Sequence, residues 1–198
     1  MKIVGISCSP RKGKSTKYAL EVCLQSVKET LPDAETMLIE LSDIKMNGCV
    51  ACGKCMKVLE CSQDDDFLKM VPVLSDPELA GLVVATPVYF GSMTSQCKAF
   101  LDRCVMFRRN GFMLRNKVGG ALAVGGVRNG GQELTIQTVQ AAMLVQDMVV
   151  VSEGRPTSHY GATLWSGHPD GIEKDAFGLE TARNLGKRVA EVAVRMHR

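Results

Sequence analysis

Hydrophobic and polar positions along this chain fall into blocks that switch repeatedly between the two-residue period of a strand and the 3.6-residue period of a helix. Lys2 to Ser9 (KIVGISCS) is a short β-branched run ending in a turn rich in Ser, Pro and Gly, and Ser15 to Leu31 then places Ala19, Leu20, Cys23, Leu24 and Val27 at helical spacing. Glu35 to Ile44 predicts a second strand, and Val71 and Leu74 mark a compact helix after it. Gly81 to Val88 (GLVVATPV) is almost continuously apolar and stops at Pro87, which predicts the central strand of a parallel sheet covered on both faces. Within Thr94 to Phe107, the residues Cys97, Phe100, Leu101, Cys104 and Phe107 form one stripe. Lys117 to Gly126 follows as a fourth strand, Gln132 to Gln146 as a helix and Asp147 to Gly154 as a fifth strand. The irregular stretch from Arg155 to Gly171 leads to a last helix carrying Ala182, Leu185, Val189, Val192 and Met196.

Strands alternating with helices predict an α/β protein built on a doubly wound five-stranded parallel sheet of order 2-1-3-4-5, because parallel neighbours require right-handed crossovers that lay helices on both faces. Neither an internal repeat nor a low-complexity linker interrupts the alternation, so residues 1–198 read as a single domain with an insertion at about 45–66. In such sheets ligands sit beyond the carboxyl ends of the strands, where the strand order reverses, and the loops after the strands therefore matter most.

Composition narrows the classes of function. The net charge of +3 arises from 24 basic and 21 acidic residues, a balance that argues against nucleic acid or an anionic membrane as partner. No apolar run approaches the roughly 18 residues of a membrane span, and Met1-Lys2 leads directly into a strand, so a cytoplasmic protein is expected. With 45% hydrophobic residues the chain can bury a substantial core.

Cysteine usage changes the picture more. Four of the eight cysteines are Cys49, Cys52, Cys55 and Cys61, spaced C-x2-C-x2-C-x5-C, with Gly48 and Gly53 easing the turns between them. Thiolates so closely spaced can converge on one small inorganic centre, either an iron-sulfur cluster or zinc. Disulfides are disfavoured in a reducing compartment. Lys54 and Lys57 stand where they would moderate a negative centre. Cys23, Cys97 and Cys104 lie on apolar helical faces and read as small core residues, and Asp64 to Asp66 as a helix start.

Three loops end the predicted strands. Ser9, Pro10 and Arg11 with Ser15 and Thr16 offer hydroxyls, backbone N–H groups at a helix start and cations, a set that suits a phosphate; Ser15 read alone would simply cap the helix. Gly13-Lys14-Ser15 imitates the end of a nucleotide-binding P-loop, yet the first glycine of that motif falls on Cys8, and Pro10 lacks a needed N–H. The second loop, Thr86-Pro87-Val88-Tyr89-Phe90-Gly91-Ser92-Met93, presents an aromatic pair, a glycine and a hydroxyl where a flat ring can lie. The third holds Gly126, Arg128, Asn129, Gly130 and Gln132, with glycines for close backbone approach and polar side chains for a ring edge. Together they suggest a flavin-sized pocket. His159, Tyr160, Trp165 and His168 stand in the following irregular loop, where they would cover that pocket, meet a neighbouring subunit or face solvent.

Ser9-Pro10-Arg11 with Ser15-Thr16, the stretch Thr86 to Met93, and Asn129-Gly130-Gly131-Gln132-Glu133 resemble the flavodoxin-like NADPH-dependent FMN reductase superfamily, and the cysteine quartet narrows the resemblance to its iron-sulfur flavoproteins. The resemblance runs over essentially the whole chain. It implies FMN bound by Ser9, Arg11, Ser15, Thr16, Pro87, Val88, Tyr89, Phe90, Gly91, Ser92, Met93, Gly126, Arg128, Asn129, Gly130 and Gln132. It also implies a [4Fe-4S] cluster on Cys49, Cys52, Cys55 and Cys61, with electrons passing between the two centres. It implies a homo-oligomer, typically a tetramer, with a redox partner such as a ferredoxin, or NAD(P)H. Two other readings stand beside it: a two-electron NAD(P)H-dependent FMN or quinone reductase whose cysteines are structural, and a zinc-stabilised binding module.

Overall fold

The computed structural model describes residues 1–196. Its elements run β1 (Lys2–Ser7), α1 (Ser15–Thr30), β2 (Glu35–Glu40), α2 (Val71–Leu74), β3 (Leu79–Pro87), α3 (Ser95–Arg103), α4 (Val105–Arg109), β4 (Val118–Gly125), α5 (Gln132–Val145), β5 (Val149–Val151), β6 (Ala162–Trp165) and α6 (Ala176–Met196). Every strand pairing is parallel and the order is β2-β1-β3-β4-β5, in agreement with the alternation of strands and helices along the chain. The fold class is flavodoxin-like.

The fifth place in the sheet is built in two pieces. Val118 to Gly120 of β4 pair with β5, whereas Leu122 to Gly125 pair with β6, and residues 152–161 leave the sheet between them. Asp147 to Gly154 thus supplies only part of a strand, Asp147 itself adopting a positive φ of 61°. The remaining part, Ala162–Trp165, is four residues long and carries too little periodicity to be read from sequence. The stripe from Thr94 to Phe107 likewise divides at Cys104 into α3 and α4.

β3 and β4 are buried along almost their whole length because helices cover both faces. α1 and α6 pack on one face over Ile3, Val83 and Leu122, and the side chains of Leu20, Leu185 and Val189 fill the layer between. On the other face Phe67, Phe100 and Phe107 meet Leu82, Val84, Ile136 and Met143, with ring centroids of Phe67 and Phe100 6.5 Å apart. α1 and α6 approach so closely that a Cβ added at Gly186 would fall 2.0 Å from the Cys23 carbonyl oxygen. The Ser26 hydroxyl donates to the Arg183 carbonyl at 2.8 Å in the same contact. No helix among the described residues is long and apolar enough to cross a membrane.

Candidate functional site

The carboxyl ends of β1, β3 and β4 lie side by side, and the loops that leave them are tied to one another. The Thr94 hydroxyl donates to the Cys8 carbonyl at 2.7 Å and accepts from the Cys97 N–H at 3.1 Å, so one side chain caps α3 and binds the second loop to the first. Val88 N–H donates to the Val124 carbonyl at 2.9 Å. Gly131, at φ 95°, brings the third loop against the second, since a Cβ there would sit 3.2 Å from the Gly91 Cα. Thr94 is absent from the loop residues that sequence singles out; a threonine directly before a helical stripe is the signal that marks it.

In the first loop Ser9 is buried and forms a local turn, its hydroxyl oxygen accepting from Arg11 N–H at 3.1 Å. Thr16 is buried in the first turn of α1, whereas Ser15 is half-buried and Arg11 exposed. Ser15 does not cap the helix: Lys14 holds the cap position, no side chain bonds the first N–H groups, and no acidic residue lies in the first turn. A 16-residue helix with no side-chain cap at its start and with Arg11 and Lys14 before it fits a phosphate, while Glu40 accepts from Gly13 N–H at 2.8 Å and Asp43 pairs with Lys12 at 2.9 Å beside it.

The second loop is a tight turn in which Tyr89 N–H donates to the Ser92 carbonyl at 2.9 Å and Ser92 N–H returns the bond at 3.1 Å. Phe90 and Gly91 both have positive φ, 49° and 75°, the pattern of a type I′ turn. The turn lifts Tyr89 and Phe90 clear of the surface, Phe90 being fully exposed, while Pro87, Val88, Ser92 and Met93 remain half-buried. An aromatic pair left uncovered beside the phosphate-type loop fits a planar ring.

The third loop departs from expectation at two residues. Gln132 is buried and both ends of its amide are used at home, Nε2–H donating to the Val127 carbonyl at 2.7 Å and Oε1 accepting from Gly130 N–H at 2.8 Å. It shapes the loop and is not free to reach a ring edge. Arg128 donates to Asp175 Oδ1 at 2.7 Å and its guanidinium lies 5.0 Å over the Trp165 ring, so it reaches across β6, on the side of β4 opposite to β3. Gly126 and Asn129 remain exposed and Gly130 half-buried at the mouth.

The cysteine segment begins and ends at one neck. Lys45 N–H donates to Asp66 Oδ2 at 2.9 Å, Asp66 N–H to the Lys45 carbonyl at 3.0 Å, and Asn47 N–H to Asp65 Oδ2 at 3.0 Å. Beneath the neck Arg103, 2% exposed, makes a two-pronged ion pair with Asp65 at 2.8 and 3.0 Å and donates to the Asn47 carbonyl at 3.0 Å. Asp65 also accepts from Phe67 N–H, so the helix-start reading of the aspartates holds for it but is only part of its work. Between the ends of the neck, Ala51 and Gly53 take positive φ, and Cys49, Cys52, Cys55 and Cys61 all line one small cavity together with Arg103, Met106 and Arg109. Among the described residues no three His, Cys, Asp or Glu side chains converge closely enough to hold a single metal ion. The four cysteines share one small cavity without converging on a single point. Arg109 donates to Cys55 Sγ at 3.3 Å and Asn110 to the Cys55 carbonyl at 2.9 Å. Arginines of α3 and α4 thus stand at the wall of the cysteine cavity, while Lys54 is paired with Glu60 at 2.8 Å.

The cysteines divide sharply by environment. Hydrogen bonding to the Ser62 hydroxyl, at 2.9 Å, and to the Lys54 backbone holds the exposed Cys52 thiol below its ordinary value. Burial pushes Cys23 up to about 12 and raises Cys8 and Cys104 as well. In the metal-free native protein, iodoacetamide near neutral pH is therefore expected to modify the 49–61 quartet rapidly and Cys8, Cys23, Cys97 and Cys104 only after unfolding. Mass spectrometry of the partly labelled chain distinguishes the two sets, and rapid labelling of Cys8 would contradict its burial.

A family model described as NADPH-dependent FMN reductase matches residues 1–163. An iron-sulfur flavoprotein of Methanocaldococcus jannaschii is 43% identical over 192 residues, covering 97% of each chain. An iron-sulfur flavoprotein of Methanosarcina thermophila is 39% identical, covering 97% of this chain and 95% of its own. Among solved structures, a flavodoxin, WrbA-like protein from Agrobacterium tumefaciens superposes with a TM-score of 0.63 at 19% identity, over 98% of this chain and 97% of that one.

Proposed function

The chain belongs to the NADPH-dependent FMN reductase family and, within it, to the iron-sulfur flavoproteins; from that membership we propose that it carries electrons between FMN held by the three loops and a [4Fe-4S] cluster held by Cys49, Cys52, Cys55 and Cys61. The observation that carries this reading is the one small cavity that all four cysteines line, with two arginines at its wall. Four closely spaced thiolates suit an iron-sulfur centre, and four thiolates plus a cluster carry net negative charge that the wall must offset. Arg109 already donates to Cys55 Sγ, and the buried Nε–H of Arg103 has no partner within the protein. A buried donor left unbonded is costly, and a cluster sulfur would satisfy it.

When bound, the cluster handles single electrons and FMN one or two, so the pair links two-electron donors to one-electron carriers. The protein's own residues supply placement. The uncapped start of α1 with Arg11 and Lys14 receives the phosphate, Gly126, Gly130 and the Tyr89–Ser92 turn let backbone approach the ring, and Tyr89 or Phe90 stacks on it. The redox partner is a ferredoxin-type protein or NAD(P)H, in the cytoplasm. The functional unit is an oligomer, by family resemblance a tetramer, a reading supported by Leu134, Leu144 and Val145 standing exposed along α5.

The test is an anaerobic absorption spectrum combined with iron, acid-labile sulfide and flavin assays. About four irons and four sulfides per FMN are expected. Zinc without sulfide would overturn the cluster half, and absence of flavin the other.

A further inference from the structure

Beyond β4, on the side away from the second loop, a cavity of about 510 Å³ opens between the start of α5, the end of β6 and the start of α6. Trp165 and Phe177 give it aromatic walls, and Arg128 and His159 bring polar atoms to it. Each of these two side chains is held from behind by a buried carboxylate. Asp175, 1% exposed, takes Arg128 at 2.7 Å. Glu153, fully buried, faces the Nδ1 of His159 at 3.0 Å and also accepts from the His159 backbone N–H. Its other oxygen has no partner.

Burying a carboxylate is unfavourable unless it is well bonded; Asp175 also accepts from Trp165 N–H at 2.7 Å and Gly178 N–H at 3.4 Å, and both carboxylates hold side chains that themselves stand half in solvent. That is how a fold fixes a group for contact with a ligand. A carboxylate on Nδ1 sets the tautomer, leaving Nε2 as the free nitrogen. The His159 ring also packs edge-on against Phe177 at 6.1 Å, and the Arg128 guanidinium over Trp165 at 5.0 Å, so neither can swing away without losing a second contact. The charged groups round His159 include Glu153 on its own loop, Arg128 and Glu133 across the cavity and Asp175 behind Arg128, and Glu153 in turn shares a second cavity with Arg155, Lys187, Arg188 and Glu191.

We propose that this cavity binds a planar ring-hydroxylated aromatic compound that also carries a ring carbonyl. The ring lies against Trp165 and Phe177, the hydroxyl donates to His159 Nε2, and the remaining N–H groups of Arg128 donate to the carbonyl. A guanidinium is donor only and a neutral imidazole nitrogen is an acceptor, so one ligand oxygen must be an acceptor and the other a hydroxyl. If the hydroxyl ionises, its proton passes to Nε2 and the imidazolium so formed is balanced by Glu153. No electron moves in that step, and the site stands independently of the cluster.

The probe is umbelliferone, a planar phenol with a ring carbonyl, compared with its methyl ether by calorimetry on the FMN-loaded protein. Umbelliferone is expected to bind about tenfold more tightly than the ether, since blocking the hydroxyl leaves Nε2 unmatched. Its phenolate absorption band should appear at lower pH when bound than when free. His159→Gln should remove both differences and leave the flavin spectrum unchanged, while Phe177→Leu should weaken both coumarins alike. Equal binding of the two coumarins, no binding of either, or an unchanged preference in a folded His159→Gln protein would overturn the proposal. Circular dichroism establishes that each variant is folded.

Discussion

Cys52→Ala is expected to abolish bound iron and sulfide while FMN stays at the wild-type ratio. Cluster assembly needs all its thiolates, and the nearest substitute ligand, the Ser62 hydroxyl at 2.9 Å from Cys52 Sγ, is a poor one for iron in this setting. The fold has little stake in Cys52, which is exposed and bonded only locally. A surface substitution of that kind changes stability by less than about 0.5 kcal/mol. Nor do the flavin loops depend on it, since they are joined by Thr94 to Cys8, by Val88 to Val124 and by Gly91 against Gly131, none of them in the cysteine segment. Electron paramagnetic resonance of the reduced protein should lose the cluster signal, and the visible spectrum should keep the flavin bands. A one-electron acceptor should then no longer be reduced through the protein at the wild-type rate. Retention of four irons in the variant would remove Cys52 from the ligand set, and loss of FMN together with iron would mean that the two sites are coupled in a way the loop contacts do not suggest.

Much of this arrangement is legible in the amino-acid sequence, and the reasons are local. β1, β3 and β4 are buried on both faces, so they appear as unbroken apolar runs between turn residues. The cysteine quartet is legible because its members are close in sequence, and the first loop because hydroxyls and cations cluster before a helix. What sequence patterning misses depends on partners far apart in the chain. Arg103 sits on α3 between the core residues Phe100 and Cys104, where one polar letter carries no hint of a buried ion pair with Asp65, 38 positions earlier. Gln132 and Arg128 have the right chemistry for a ligand, but Gln132 spends its amide on its own loop and Arg128 is drawn across β6 by Asp175. Glu153 looks like the polar end of a strand, although it is fully buried against His159. β6 is missed for a simpler reason: four residues held in place by β4 and α6 need no pattern of their own.

Arg103→Met should be the most destabilising single change near the cysteine centre, by about 3 kcal/mol in urea unfolding, because removing one partner leaves the Asp65 carboxylate part-buried and unmatched. Asp65 is pulled in two directions: burial raises its pKa, but hydrogen bonds from the Arg103 guanidinium and from the Asn47 and Phe67 N–H groups outweigh it and hold the carboxyl below its ordinary value. A depressed folded value means stability that is fully present above the unfolded pKa of about 3.9 and is lost as pH falls through the folded value. Wild-type protein should therefore lose this contribution below about pH 4, and Asp65→Asn should show a flatter acid limb while being weaker at neutral pH. Each single variant also weakens the neck of the cysteine segment, Arg103→Met by removing the bond to the Asn47 carbonyl and Asp65→Asn by removing the carboxylate that accepts from Asn47 N–H, so limited proteolysis within residues 47–65 should become faster in the metal-free protein. The double change Arg103→Met with Asp65→Leu separates the two effects: it removes both charges and should recover part of the stability, the remainder being the bonds that Asp65 accepts from Asn47 and Phe67 N–H. It should not recover cluster loading, because the guanidinium that lines the sulfur cavity is gone. Full iron content in that double variant would show that Arg103 serves the fold alone.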